Sequence, residues 1–241
     1  DNISQSVSAE LNFKTLFSSD LGSSTFKTYQ PTFPEGSRGN TVATLSQNSN
    51  HSVWWNWENT LSFLKKFDRH EVAAVVGTSA QDFNSEFFSA GRQGFPEGDL
   101  EALRYLPYGT VTVNDGTASS SSLLSFFGRV SYNYNSRYLL TATVRRDGSS
   151  RFFNDKWGTF PSVSAGWRIS EESFLSGNPS ISNLKIRASW GQVGNQSVSS
   201  DFPWLTSVGP NLNYNTVLGG ALQAGLAPIQ RGNENLTWET T

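Results

Sequence analysis

The sequence has no cysteine and no methionine, and only two histidines, His51 and His70, in 241 residues. The absence of Cys excludes a disulfide framework, thiol catalysis and cysteine metal sites, and two His are too few for a histidine-rich zinc site. Lys and Arg form no long run and the net charge is −2, which argues against a nucleic-acid surface. Long apolar runs are missing as well. A helical membrane span needs ~20 apolar residues in succession, and the nearest approach is Val72-Ala73-Ala74-Val75-Val76. Mean hydropathy is −0.41, a value that does not weigh against a β-barrel, because only alternate strand residues face lipid.

What is present is alternation. In 6–17, Val7, Ala9, Leu11, Phe13, Thr15 and Phe17 share one face, and Ser8, Glu10, Asn12 and Lys14 the other. A period of two is the signature of a strand with two unlike faces. Ser18-Ser19-Asp20 reads as a turn, with a weaker strand to Tyr29, and 31–51 as a loop. A strand over 53–64 puts Trp55, Trp57, Leu61 and Phe63 together, and 65–69 is a short charged turn. The next strand, 71–80, is apolar on both faces, so its orientation is open. Residues 83–122 read as a long irregular loop broken by glycine and proline.

The clearest unit begins at Leu124. Phe126, Gly128, Val130, Tyr132 and Tyr134 continue its face, Asn135-Ser136 suits a tight hairpin, and Tyr138, Leu140, Ala142 and Val144 return. Asp147-Gly148-Ser149-Ser150 opens a loop, with Gly148 and Asp147 supplying turn geometry. A strand over 159–169 follows, with a strand end or bulge expected at Pro161 because proline lacks an N–H. Residues 170–183 read as a turn, 184–190 as a strand, 196–234 as a second long loop, and 236–241 as the opening of a last strand.

Three features together point to an all-β, antiparallel transmembrane β-barrel. Connections alternate between short turns and long loops, as in barrels with short periplasmic turns and long extracellular loops. Aromatics gather near strand ends: Tyr132, Tyr134, Tyr138, Trp167 and Phe174 at one end, Trp54, Trp55, Trp57, Trp157 and Phe160 at the other. The face opposite the apolar stripe carries Arg129, Arg145, Arg168, Lys185 and Arg187, more charge than a packed soluble core holds. These side chains are expected to face the lumen, as a solvated or salt-bridged wall or as contacts to a plug. On the residues alone, a secreted β-sandwich with long loops stays open.

Gly128 to Phe152 (GRVSYNYNSRYLLTATVRRDGSSRF), Trp157 to Glu172 (WGTFPSVSAGWRISEE), Ile181 to Asn195 (ISNLKIRASWGQVGN) and Asn233 to Thr241 (NENLTWETT) resemble the SusC/RagA family of TonB-dependent outer-membrane transporters. LNFKTLFSSDL (Leu11 to Leu21) fits more weakly. The resemblance implies localisation in the outer membrane of a bacterium of the Bacteroidetes type. It implies import of oligosaccharide or peptide, a SusD-like surface lipoprotein partner, and coupling to TonB through an N-terminal region that this chain lacks. A barrel of this class has roughly 22 strands around a plugged lumen. The chain starts on Asp1 and stops at Thr241 as a new pattern begins, so a fragment is expected: residues 1–241 as part of the barrel domain, with the plug domain and terminal strands absent. Outside this family, a porin- or adhesin-like barrel without TonB coupling and a secreted carbohydrate-binding β-domain are the competing readings.

The candidate ligand or lid contacts are the loop aromatics Phe95, Tyr105, Tyr108, Phe202, Trp204 and Tyr214. Trp54, Trp55 and Trp57 with Asn56 could stack a sugar, but an interfacial girdle is the favoured role. Glu171-Glu172 and the Glu97/Asp99 pair lack a supporting nucleophile–base constellation, so no catalytic residue is expected. No cofactor or metal is expected either. Gly191-x-x-Gly194-Asn195 follows a strand without opening a helix, unlike a phosphate loop.

Overall fold

The computed structural model describes residues 8–33, 35–36, 39–96, 101–175, 180–218 and 220–241. Its main element is a seven-stranded sheet in sequential order. The strands are β1 (Ser8–Gln30), β2 (Thr44–Phe67), β3 (His70–Gln93), β4 (Thr110–Tyr134), β5 (Tyr138–Ser149), β6 (Trp157–Arg168) and β7 (Lys185–Gly191). β1 and β7 are its edges. β8 (Gly194–Asn195) pairs with β11 (Glu239–Thr240), and β9 (Ser207–Leu218) pairs with β10 (Ala221–Gln230) as a separate hairpin. The described residues contain no α-helix, only short 3₁₀ turns. Contacts divide the chain into two compact units. One comprises Asp1–Phe17, Asn56–Gln81 and Ser121–Thr241; the other comprises Ser18–Trp55 and Asp82–Ser120.

The strands outrun the sequence expectation. No turn forms at Ser18-Ser19-Asp20, because β1 runs straight through it. β2 starts at Thr44, inside the expected loop 31–51. The expected loop 83–122 is largely the upper part of β3 and β4, and only 94–109 connects them. Likewise β9 and β10 occupy much of 196–234. The physical reason is common to all four. A segment rich in Ser, Asn and Gly has no apolar stripe to read, yet its backbone still finds ladder partners. Glycines there serve close approach rather than breakage. A Cβ on Gly22 would meet the Ser52 hydroxyl, and one on Gly91 would sit 2.6 Å from Thr112 Oγ1.

The tight turns behave as the residues suggest. Asn135 and Ser136 take φ of 49° and 57°, and the Arg137 N–H closes the turn on Tyr134 O at 3.0 Å. The charged segment 65–69 shrinks to Asp68-Arg69, with Asp68 at φ 50°. Pro161 causes neither a strand end nor a bulge, since β5–β6 pairing runs through Val144↔Pro161 without a shift. Gln192 N–H donates to Pro161 O, so the side of Pro161 that lacks an N–H faces β7 just past their last pair, Ser162↔Gly191. The bond it withholds is only the return bond to Gln192, beyond the end of β7. The turn after β6 proves longer than the loop 150–156 after β5, so connection length alone does not separate the two ends.

Candidate functional site

Cross-strand register sorts β4 to β7 into two faces. Leu124, Phe126, Val130, Tyr138, Leu140, Val144, Val163, Trp167, Ile186 and Trp190 lie on one face, all exposed. A continuous exposed apolar face of this extent is a surface for something other than water. Its ends are ringed with aromatics. At the short-turn end Phe67 stacks on His70 at 5.0 Å, and His70 Nδ1 lies 2.6 Å from the Tyr132 hydroxyl. Tyr134 and Tyr138 stack at 6.2 Å. At the other end Trp157 lies 5.9 Å from Phe126, with the Arg146 guanidinium 5.4 Å over its ring. Trp54, Trp55 and Trp57 lie midway along β2 rather than at a strand end. Strand alternation puts Trp54 and Asn56 on the face opposite Trp55 and Trp57, so the four form no sugar platform. Asn56 instead accepts from Ser79 Oγ at 2.9 Å, and Trp57 donates to Thr15 Oγ1 at 3.0 Å.

The opposite face is polar. Register brings Arg129, Arg145, Arg168, Lys185 and Arg187 onto it together with Ser131, Thr141, Thr143, Ser162, Ser164 and Ser189. Arg145 is firmly partnered: Nε donates to Asp147 and Nη2 to the buried Ser125 Oγ, both at 2.8 Å. The Lys185 stem lies across Gly166, where a Cβ would approach its Cε to 3.1 Å.

In the second unit, loop residues that are remote in sequence converge. Tyr29, Pro31, Thr41, Ala43, Phe95 and Arg104 border a cavity of about 750 Å³. Tyr29 and Phe95 meet edge to face at 5.4 Å, the Arg104 guanidinium lies 4.9 Å over Tyr29, and Lys27 Nζ lies 3.7 Å over Tyr105. Arg92 fixes the wall: it donates to Leu106 O at 3.2 Å, to Gly91 O at 2.8 Å and to Asn114 Oδ1 at 3.1 Å. Gly94 takes φ 67° and its N–H donates to Ala43 O, a conformation a side chain resists. Phe95 thus lines the cavity, whereas Tyr105, paired with Lys27, is the chain neighbour of its Arg104. Tyr108 is exposed in the 3₁₀ turn Leu106–Tyr108 beside it. Lys27, Tyr29 and Arg104 carried no sequence signal, since only the fold sets them beside those aromatics.

The other loop aromatics assemble in the first unit. Trp204 packs on Phe153 at 4.9 Å and on Phe202 at 6.1 Å, next to an Arg151–Asp201 ion pair of 3.2 Å. Tyr214 lies on β9, and its side chain falls outside the described residues. Below this cluster the stretches DGSSRF, WGTF, GQVGN and NENLTWETT meet in one latch. Phe152, 1% exposed, lies 5.4 Å from Trp238, which meets Phe160 at 5.2 Å and donates Nε1–H to Lys156 O at 2.9 Å. Asn195 Nδ2 donates to Glu239 Oε2 at 3.0 Å across the β8–β11 pair. Gly194 belongs to this packing, because a Cβ there would collide with the Phe160 ring.

Glu172 is an anchor: it accepts from the Tyr138 hydroxyl at 2.7 Å, the Trp167 indole at 3.1 Å and Arg137 at 3.3 Å. The Tyr138 and Trp167 hydrogen bonds hold its carboxyl below the usual range. Glu97 and Asp99 lie outside the described residues. Among the described residues no three His, Asp or Glu side chains are grouped to hold a metal.

Comparison with known proteins agrees with this arrangement. Residues 1–241 match the model of a family described as TonB dependent receptor-like, beta-barrel. TonB-dependent receptor P26 of Formosa agariphila is 38% identical over 191 residues, covering 78% of this chain and 19% of that protein. TonB-dependent receptor SusC of Bacteroides thetaiotaomicron is 33% identical over 223 residues, covering 87% of this chain and 21% of that protein. The structure of the RagAB peptide transporter superposes with a TM-score of 0.83 at 23% identity, over 95% of this chain and 25% of the matched one. The chain spans 17% to 23% of the length of the four curated relatives it matches.

Proposed function

The chain belongs to the TonB-dependent receptor β-barrel family, and from that premise we propose that it supplies wall strands and outer loops to a nutrient importer of the SusC/RagA kind. Its location is the outer membrane, where the apolar face of β4 to β7 meets lipid. In this reading 1–241 lie wholly within the barrel domain, and the plug and the TonB-contacting segment are carried elsewhere in the polypeptide. An oligosaccharide or peptide is captured at the long-loop end under a SusD-like lipoprotein and released inward when the plug moves. The observation that carries the reading is the two-faced sheet. One face is apolar and exposed, and the other holds Arg129, Arg145, Arg168, Lys185 and Arg187 in register, suited to a wet or plugged lumen rather than a dry core.

At the loop cavity, Phe95 and Tyr29 offer aromatic surface to a sugar or an apolar side chain, while Arg104, stacked over Tyr29, supplies positive charge. We assign these groups to binding and none to catalysis. The test is uptake by cells that carry the complete transporter. Uptake of one oligosaccharide or peptide class should require both the protein and energised TonB, and Tyr29→Ala with Arg104→Ala should weaken capture by about tenfold. Uptake that persists without TonB energisation would establish a porin-like channel instead.

A further inference from the structure

The apolar face is not uniform. Two adjacent cross-strand rows, Tyr132–Leu140–Ala165–Ala188 and Val130–Ala142–Val163–Trp190, run from β4 to β7. Small side chains floor a groove of about 560 Å³ between Leu140 and Trp190, whose lining is almost wholly apolar. The lining hydroxyls of Thr141 and Tyr132 are already engaged with Ser131 and His70, so the exposed lining suits hydrocarbon rather than a polar partner.

Its depth identifies the source. The next row toward the periplasmic turns is Tyr134–Tyr138–Trp167–Ile186. Here the Tyr138 hydroxyl and the Trp167 indole both bond Glu172, and Arg137 joins them. Such amphipathic rings mark headgroup level. At about 3.3 Å per residue, the groove begins roughly 7 Å from Tyr138 and ends roughly 13 Å from it. That is within the inner half of a hydrocarbon core about 30 Å thick. We propose that the groove seats one acyl chain of an inner-leaflet glycerophospholipid, whose headgroup rests on the Tyr138–Trp167 rim beside Arg137. A bound chain fills a surface that lipid sliding past would leave poorly packed, and its loss leaves the floor without partner atoms. This site rests on the outer-membrane location and is independent of whatever the transporter imports.

The test uses the complete transporter in nanodiscs of phosphatidylethanolamine and phosphatidylglycerol, doped with a phosphatidylethanolamine that bears a diazirine on one acyl chain. Light-induced adducts should concentrate on peptides containing 140–142, 163–165 and 188–190. Ala165→Phe, which fills the groove, should reduce them by about tenfold, while Val144→Phe, one row beyond, leaves them unchanged. Folding is checked by resistance of the unheated protein to dodecyl sulfate, and Ala188→Leu replaces Ala165→Phe if the latter fails that check. Adducts spread evenly over the apolar face, or unmoved by the filling variant, overturn the proposal. Preference for a lipid A probe overturns the inner-leaflet assignment, and adduct loss through pairing with a second copy of the chain assigns the groove to an oligomer interface.

Discussion

Replacing Phe152 with alanine should open the latch that roots the loop 196–238. Phe152 is 1% exposed and its ring lies 5.4 Å from Trp238, which also meets Phe160. Truncating a buried phenylalanine costs about 3–5 kcal/mol, because the lost transfer energy is joined by a residual cavity. Part of this, about 0.5–1.5 kcal/mol, is specific to aromatic pairing. The β8–β11 pair contributes little to resist, since it consists of Glu239↔Asn195 and Thr240↔Gly194 alone. A loss of about 3 kcal/mol in local opening free energy raises exchange through the open state by roughly a hundredfold. The assay is hydrogen exchange by mass spectrometry on the complete transporter, comparing peptides that cover 191–195 and 236–241 with peptides from β5. Faster exchange confined to the first two supports a local latch. Because Phe152 and Trp238 touch, Phe152→Ala with Trp238→Ala should fall short of additivity by more than about 0.5 kcal/mol. Unchanged exchange at 236–241, or equal acceleration in β5, would refute the reasoning.

Gly194→Ala attacks the same latch from the opposite side. Its Cβ would collide with the Phe160 ring, and overpacking of this kind costs on the order of 1–3 kcal/mol, so exchange at 236–241 should rise while β5 stays protected. Glu172 predicts a pH dependence. Its carboxyl is held low by the Tyr138 and Trp167 hydrogen bonds, so the stability it adds is present above the unfolded carboxylate value near about 4.3. That stability is lost as pH falls through the lower folded value. Protection of 167–175 should therefore decline on acidification below that range, and Glu172→Gln should flatten the decline; a parallel decline in the variant would show that another group titrates.

Much of this architecture is legible in the residues because a membrane wall writes its two faces into alternate positions. Leu124 to Val144 and Val163 to Trp190 were readable for that reason, as was the hairpin at Asn135-Ser136, where short polar residues tolerate positive φ. The polar extensions of β1 to β4 were not. Their Ser, Asn and Gly carry no apolar period, and only a paired neighbour makes them strands. Pro161 misled in the same way, since its tolerance depends on which neighbour its missing N–H faces. Local sequence thus determined the two-faced strands, the tight turns and, through the motif stretches, the family. Tertiary structure decided the rest. It set Lys27, Tyr29 and Arg104 beside Phe95 and Tyr105, gathered four separate motif stretches around Phe152 and Trp238, and placed Ala165 next to Ala188. Each of these depends on register between strands and loops distant in sequence, which no local window encodes.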